Sequence, residues 1–135
     1  MPELPKRKIG LVSCSGEEMP EGTITRLATL EVLESLRPDQ TVTICLPLFL
    51  AGGEEERTFA RFYPTVTIDG CDKRCAARGT EMYSGKPAAN LVVSEMAPTS
   101  GLGTARRLSE AGRRCVDAVA REIARQVDKI QTEKR

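Results

Sequence analysis

The stretch KIGLVS, residues 8–13, decides the fold, because it is a short apolar run that leads into the small residues CSG, residues 14–16. A buried parallel strand that enters a loop has this composition. Two further runs, TVTIC at residues 41–45 and TVTI at residues 65–68, are rich in β-branched residues. A fourth apolar run, LVVS, covers residues 91–94. The sequence therefore predicts four strands.

Helical segments alternate with these strands. They are predicted at residues 24–36, 54–62, 72–78 and 103–130. The last has an apolar residue at every third or fourth position, which is typical of a helix with one buried face. Strands that alternate with helices predict a mostly parallel sheet covered on both sides. We expect a three-layer α/β/α sandwich with the flavodoxin-like strand order 2-1-3-4.

Length and composition limit the classes of function. A chain of 135 residues fits one domain, 1–135. A formal charge of +1 gives no support for nucleic-acid binding, which needs clustered basic residues in excess. No run approaches the roughly 20 apolar residues of a membrane helix, and no apolar segment of a signal peptide follows the first residues. We therefore expect a cytoplasmic protein that binds neither nucleic acid nor a membrane.

The chain has five cysteines and no histidine. In a reducing compartment, metal binding, catalysis or burial explains cysteines better than disulfides do. Cys115 lies on the apolar stripe of the last helix, so we expect it in the core. Cys14, Cys45 and Cys71 each lie at the carboxyl end of a different predicted strand, and these strands are neighbours in the predicted order. Their ends meet at the edge where such sheets bind ligands, and Cys75 lies one helical turn after Cys71. The pattern predicts a four-cysteine metal site, most simply for zinc, with an iron–sulfur cluster as the alternative.

A family resemblance supports this site. The segments CSG at 14–16, ICLP at 44–47, and IDGC followed by CA within 68–76 resemble the DGC-domain family of bacteria and archaea, whose members are expected to bind zinc. The resemblance covers residues 8–95. It implies that Cys14, Cys45, Cys71 and Cys75 match the family's four characteristic cysteines. Residues 17–21 form a longer acidic stretch than the family pattern leads us to expect.

Three functions remain open from the sequence. A closed four-thiolate zinc would be structural, or would sense metal or redox state. Alternatively, metal-free Cys71 and Cys75, near a helix start and beside Lys73 and Arg74, could exchange disulfides or carry persulfide. Residues 100–104, SGLGT, could also bind a phosphate or nucleotide where they open the last helix, although helix capping explains them more simply.

Several other residues could take part in acid–base chemistry. They are Asp69, Glu17, Glu18 and Tyr83, of which Asp69 is most simply a turn or helix-capping residue. The acidic run at 54–56 is most simply a solvated helix start. The sequence leaves open whether the chain is an enzyme. The partner is predicted to be a protein or small molecule of undetermined identity, and self-association is left open.

Overall fold

A four-stranded parallel sheet forms the centre of the fold. The computed structural model describes residues 8–96 and 100–133. The strands are β1 (Ile9–Ser13), β2 (Thr41–Thr43), β3 (Thr65–Asp69) and β4 (Ala89–Val92). Their order is β2-β1-β3-β4, and every neighbouring pair is parallel. The predicted α/β fold and strand order are confirmed.

Helices cover both sides of the sheet. They are α1 (Pro20–Glu31) with a π-helical extension (Val32–Leu36), α2 (Leu46–Leu50), α3 (Glu54–Phe62), α4 (Cys75–Tyr83), α5 (Val93–Met96) and α6 (Glu110–Glu133). The bounds of α3 match the prediction, because acidic residues favour its start and Pro64 cannot continue it. Within the described residues, no helix combines the length and apolarity that crossing a bilayer requires.

The strand register places three carboxyl ends at one edge. Leu11 of the central strand β1 pairs with Thr43 of β2 on one side and with Val66 of β3 on the other. Ser13, the last residue of β1, pairs with Ile68. The loops that follow β1, β2 and β3 therefore leave the sheet side by side, as the predicted switch point requires.

One side of the sheet, which we call the α1/α6 side, carries the larger core. Alternate residues of β1 and β3 point to it, because side chains alternate along a strand. They pack against apolar residues of α1, its π-helical extension and α6, and the buried set includes Ile9, Leu11, Ile24, Ala28, Val32, Val66, Ile68, Val119, Ile123 and Val127. This packing supplies most of the buried apolar surface.

The opposite side, which we call the α3/α4 side, is thinner. Its buried apolar cluster consists of Val12, Phe59 and Ala76. Gly10 leaves room for Phe59, since a Cβ atom there would overlap the ring. Thr67 of β3 is buried and bonds to Asn90 of β4, whose amide donates to the Thr67 hydroxyl at 2.9 Å. Polar groups thus replace much of the apolar packing here.

Three local predictions need correction. The last helix begins at Glu110 and not at residue 103, because Gly101 and Gly103 have positive φ angles of 82° and 95° and the chain turns back on itself. Residues 72–78 do not form the fourth helix, which spans Cys75–Tyr83. The five-residue helix α2, Leu46–Leu50, was missed, because its LPLFL sequence is too short to show helical periodicity.

Candidate metal centre

Cys14 continues β1 beyond its last paired residue. Its backbone N–H donates to the carbonyl of Ile68 at 2.9 Å, and its Sγ accepts the N–H of Gly70 at 3.3 Å. The sulfur also lies 3.7 Å from Oγ1 of Thr25 in α1. Since the Thr25 hydroxyl donates to the carbonyl of Gly22 at 2.6 Å, the Cys14 thiol is the donor to Thr25. The Cys14 sulfur is thus held between the start of the β3–α4 loop and the first turns of α1.

Glycines allow the backbones around this sulfur to come close together. A Cβ atom on Gly22 would overlap the backbone carbonyl of Gly16. A Cβ atom on Gly70 would lie 3.1 Å from the backbone nitrogen of Gly22, which is tighter than an ordinary contact. The sequence pattern gave no sign of Gly22.

Asp69 is buried at the end of β3 and holds the start of α4. Its carboxylate accepts the backbone N–H of Ala76 at 2.6 Å and that of Ala77 at 3.1 Å. The side-chain amide of Asn90 donates to the same carboxylate at 2.9 Å. Two of the amides left unpaired in the first turn of a helix are thereby satisfied. The predicted capping role of Asp69 is confirmed.

Cys71 and Cys75 lie on different parts of the chain at this edge. Cys71 is half-buried in the turn before α4, where its carbonyl accepts the N–H of Arg74 at 3.2 Å. Cys75 is exposed and is the first residue of α4. The prediction that both lie one turn apart on one helix is wrong, because Asp69 sets the helix start at Cys75. Arg74, with a left-handed φ of 53°, makes the bend between them.

Cys45 follows β2 at the same edge. It is exposed and precedes α2, and its carbonyl accepts the N–H of Phe49 at 3.0 Å as the helix begins. Its neighbours Ile44 and Leu46 turn toward a cavity of about 690 Å³ that is also lined by Cys14. Cys14, Cys45 and Cys71 therefore lie on loops that leave the same edge of the sheet, and Cys75 begins the helix that follows the third of these loops. Within the described part of the chain, however, the structure gathers no group of three Cys, His, Asp or Glu side chains that could hold a metal ion.

Cys115 belongs to the core, as the sequence predicts. It is 8% exposed and packs in the apolar cluster on the α1/α6 side. Burial raises the pKa of the Cys115 thiol, and the negative charge of Glu21 raises that pKa further. A buried thiol of this kind is a packing residue, so it serves as an internal control for the other cysteines.

The remaining candidates have ordinary roles or no defined one. Arg74 lies 3.7 Å from Glu95 of α5, and both are exposed, so this ion pair contributes little. Tyr83 packs edge-on against Phe49 with ring centroids 6.1 Å apart, and the guanidinium of Arg57 stacks over the Tyr83 ring. Tyr83 is therefore part of the aromatic packing of α2 and α4.

A family model matches most of the chain. The model of the DGC domain covers residues 10–119. This chain belongs to the DGC domain family. The match extends the resemblance from the strand-end cysteines through the first half of α6. No curated protein and no solved structure matches this DGC domain.

The donor chemistry of the DGC domain suits zinc. Thiolates are soft ligands that zinc prefers, and four of them form a common closed tetrahedral site. The Gly70 N–H on the Cys14 sulfur is the kind of backbone hydrogen bond that supports a metal-bound thiolate. These residues fit the ion chemically, although the structure does not bring them together as a ligand set.

Proposed function

We propose that this DGC domain binds one zinc ion through Cys14, Cys45, Cys71 and Cys75. One observation carries the proposal. The Cys14 sulfur accepts an N–H from Gly70, the residue directly before Cys71, at the edge where β2 also ends. Adjacent strands are about 4.8 Å apart, so loops that leave three neighbouring strands need only local movement to bring their thiols together.

The charge at such a site needs compensation. Four thiolates around Zn²⁺ carry a formal charge of −2, which is costly unless donors or cations lie nearby. The Gly70 N–H is one donor already in position. Lys73 and Arg74 lie in the exposed turn between Cys71 and Cys75, where their charges oppose that of the thiolates. The local sequence is therefore suited to an anionic metal centre.

Zinc binding would order the loops at this edge. Cys45 and Cys75 are exposed, and the α3/α4 side has a small apolar cluster to hold them in place. The free energy of metal binding would then contribute directly to the stability of this side of the domain. A closed four-sulfur site has no open position for water, so the role is structural or, if thiol oxidation releases the ion, redox-sensing.

Thiol–disulfide or persulfide chemistry at Cys71 and Cys75 has weaker support. A thiolate at the start of a helix is stabilised by the free amides of the first turn. The amides of Ala76 and Ala77 are already occupied by the Asp69 carboxylate. We therefore keep exchange chemistry as an outcome of the metal test.

The test is metal analysis of protein purified without oxygen, combined with single substitutions. We expect about one zinc per chain in the wild type, consistent with one shared site. Replacing Cys14, Cys45, Cys71 or Cys75 with Ser should in each case weaken zinc binding about tenfold or more, since even loss of a residue that only supports a ligand has an effect of this size. Cys115→Ala is the matched control and should retain the ion.

Two results would contradict the proposal. One is a metal-free wild type whose Cys71 and Cys75 form a reversible disulfide, which would favour exchange chemistry. The other is zinc retained in all four Cys→Ser variants, which would place the ion elsewhere. If the purified protein contained iron and inorganic sulfide, the group bound at these cysteines would be an iron–sulfur cluster and not zinc.

A further inference from the structure

A second cavity lies on the other side of the loop that follows Cys14. Its volume is about 660 Å³, within the range of small-molecule sites. Its walls come from the loop at Ser15–Glu17, from α1, from the chain around residues 105–108 and from Arg113 of α6. The zinc proposal does not involve this cavity.

The charge of this cavity is its unusual feature. Four arginines line it, and they are Arg26, Arg106, Arg107 and Arg113. Glu17 is the one acidic residue among the lining residues. Throughout residues 8–96 and 100–133, no ion pair or side-chain hydrogen bond occupies the four guanidinium groups. Other arginines of the domain, such as Arg114 and Arg125, are paired with carboxylates of their own helix.

The backbone holds two of these arginines in a fixed turn. Thr104 and Arg107 exchange backbone hydrogen bonds, with the Thr104 N–H at 2.9 Å from the Arg107 carbonyl and the Arg107 N–H at 3.2 Å from that of Thr104. Leu108, which follows the turn, is buried in the α1/α6 core. The Thr23 hydroxyl of α1 donates to the carbonyl of Ala105 at 2.5 Å. The turn that carries Arg106 and Arg107 is thus fixed to the opposite wall of the cavity.

Arg113 adds an electrostatic cost that a ligand could remove. It lies in the first turn of α6, where the helix dipole disfavours a positive charge. The Ser109 hydroxyl accepts the N–H of Gly112 at 3.0 Å and so satisfies one amide of that turn without neutralising it. The four unpaired cations lie on exposed residues around one concave surface, so solvent screens part of their mutual repulsion, and a multivalent anion would offset the rest.

We propose that this arginine-lined cavity binds a small phosphorylated ligand. Guanidinium groups match the geometry of phosphate oxygens and form paired hydrogen bonds with them. Because the cavity is limited in volume, a small molecule fits it better than an extended polymer. The Ser15–Glu17 loop lines both this cavity and the one beside Cys14, so an occupied ligand site would lie next to the proposed metal centre.

Calorimetric titration of the protein with inorganic pyrophosphate at constant ionic strength tests this site. We expect saturable binding that weakens about tenfold or more in the double variant Arg106→Gln/Arg107→Gln, and also in Arg113→Gln, because each loses charge-assisted bonds. Arg121→Gln is the matched control, since Arg121 is an exposed residue of the same helix that does not line the cavity. Its affinity should stay within about twofold of the wild type, as an exposed charge outside the site requires. Circular dichroism checks that each variant is folded.

A further arm separates recognition of phosphoryl groups from binding of any multivalent anion. Citrate should bind more weakly than pyrophosphate, and tighter citrate binding would overturn the phosphoryl assignment. Absence of saturable binding, or equal affinity in all arginine variants, would also overturn it.

Discussion

The two sides of the sheet are built in different ways. On the α1/α6 side, β1 and β3 contribute Ile9, Leu11, Val66 and Ile68 to a large apolar core. On the α3/α4 side, the same two strands contribute Gly10, Thr65, Thr67 and Asp69 beside Val12. Burial of apolar surface is worth about 25 cal/mol per Å², so the first side dominates the stability of the fold.

This difference assigns separate tasks to the two sides. The α1/α6 side fixes the sheet and the Cys14 loop, which packs on α1 through Gly16 and Gly22. The α3/α4 side bears Cys75 on α4 and lies beside Cys45. Regions with few buried apolar contacts open at lower free energy than the core does. Loops on the α3/α4 side can therefore rearrange around an ion while the rest of the domain stays folded.

The largest expected effect comes from removing a buried side chain on the α1/α6 side. Ile123→Ala should lower the free energy of unfolding by about 2–5 kcal/mol, because it leaves a cavity among fully buried neighbours. Ile44→Ala, at a half-buried position on the α3/α4 side, should lower the free energy of unfolding by about 1 kcal/mol, because less apolar surface is buried there. Urea unfolding of metal-free protein measures both. Equal losses would show that the two sides do not differ as described.

A smaller effect is expected from the polar contacts that hold α4. Asp69→Asn should lower the free energy of unfolding by about 1–3 kcal/mol, since it removes a buried charge that accepts two backbone N–H groups and the Asn90 amide. Asp72→Asn, in the exposed turn before α4, is the control and should change stability by less than about 0.5 kcal/mol. Equal stability of the two variants would show that hydrogen bonding to Asp69 does not stabilise the α3/α4 side.

The smallest effect should come from the ion pair between Arg37 and Asp128 on the α1/α6 side. Arg37 donates to both carboxylate oxygens of Asp128 in α6, at 2.8 and 2.7 Å. These hydrogen bonds lower the pKa of Asp128 below its ordinary value of 3.8. The pair therefore stabilises the fold above that value, and the contribution is lost as pH falls through the lowered pKa of the folded state. Because the Asp128 side chain is 51% exposed, we expect about 0.5 kcal/mol at neutral pH.

Asp128→Asn, measured by urea unfolding between neutral pH and pH 3, tests this pair. The variant should lose the small neutral-pH difference from wild type as the solution becomes acidic. Asp117→Asn, an exposed carboxylate of the same helix, should show no such trend. If Asp128→Asn lowered the free energy of unfolding by several kcal/mol at neutral pH, the stability of the α1/α6 side would depend on ion pairing and not on apolar packing.

The sequence predicted the sheet because its signals are local and strong. Short β-branched runs at 41–45 and 65–68, separated by helical stretches, indicate parallel strands, and the strand order came from the common flavodoxin-like arrangement of such sheets. Helix starts were harder to predict. Gly101 and Gly103 resemble a flexible helix entry, but their positive φ angles turn the chain back, and Ser109 caps α6 instead.

The site was predicted at the level of strand ends and not of side chains. Placing Cys14, Cys45 and Cys71 at one edge needs only the strand order. The Cys14 sulfur contacts Gly70 and Thr25, which are distant from it in the sequence, so no spacing pattern predicts these contacts. The arginine-lined cavity was missed for the same reason, because Arg26, Arg106 and Arg113 meet only in the folded chain.

The most direct test of the metal centre is zinc K-edge X-ray absorption on the wild-type protein. Four thiolate ligands at the carboxyl edge of the sheet require four sulfur scatterers at about 2.3 Å, with no oxygen or nitrogen in the first shell. Fewer than four sulfurs, or a shell completed by oxygen or nitrogen, would contradict the assignment of Cys14, Cys45, Cys71 and Cys75 to a single ion.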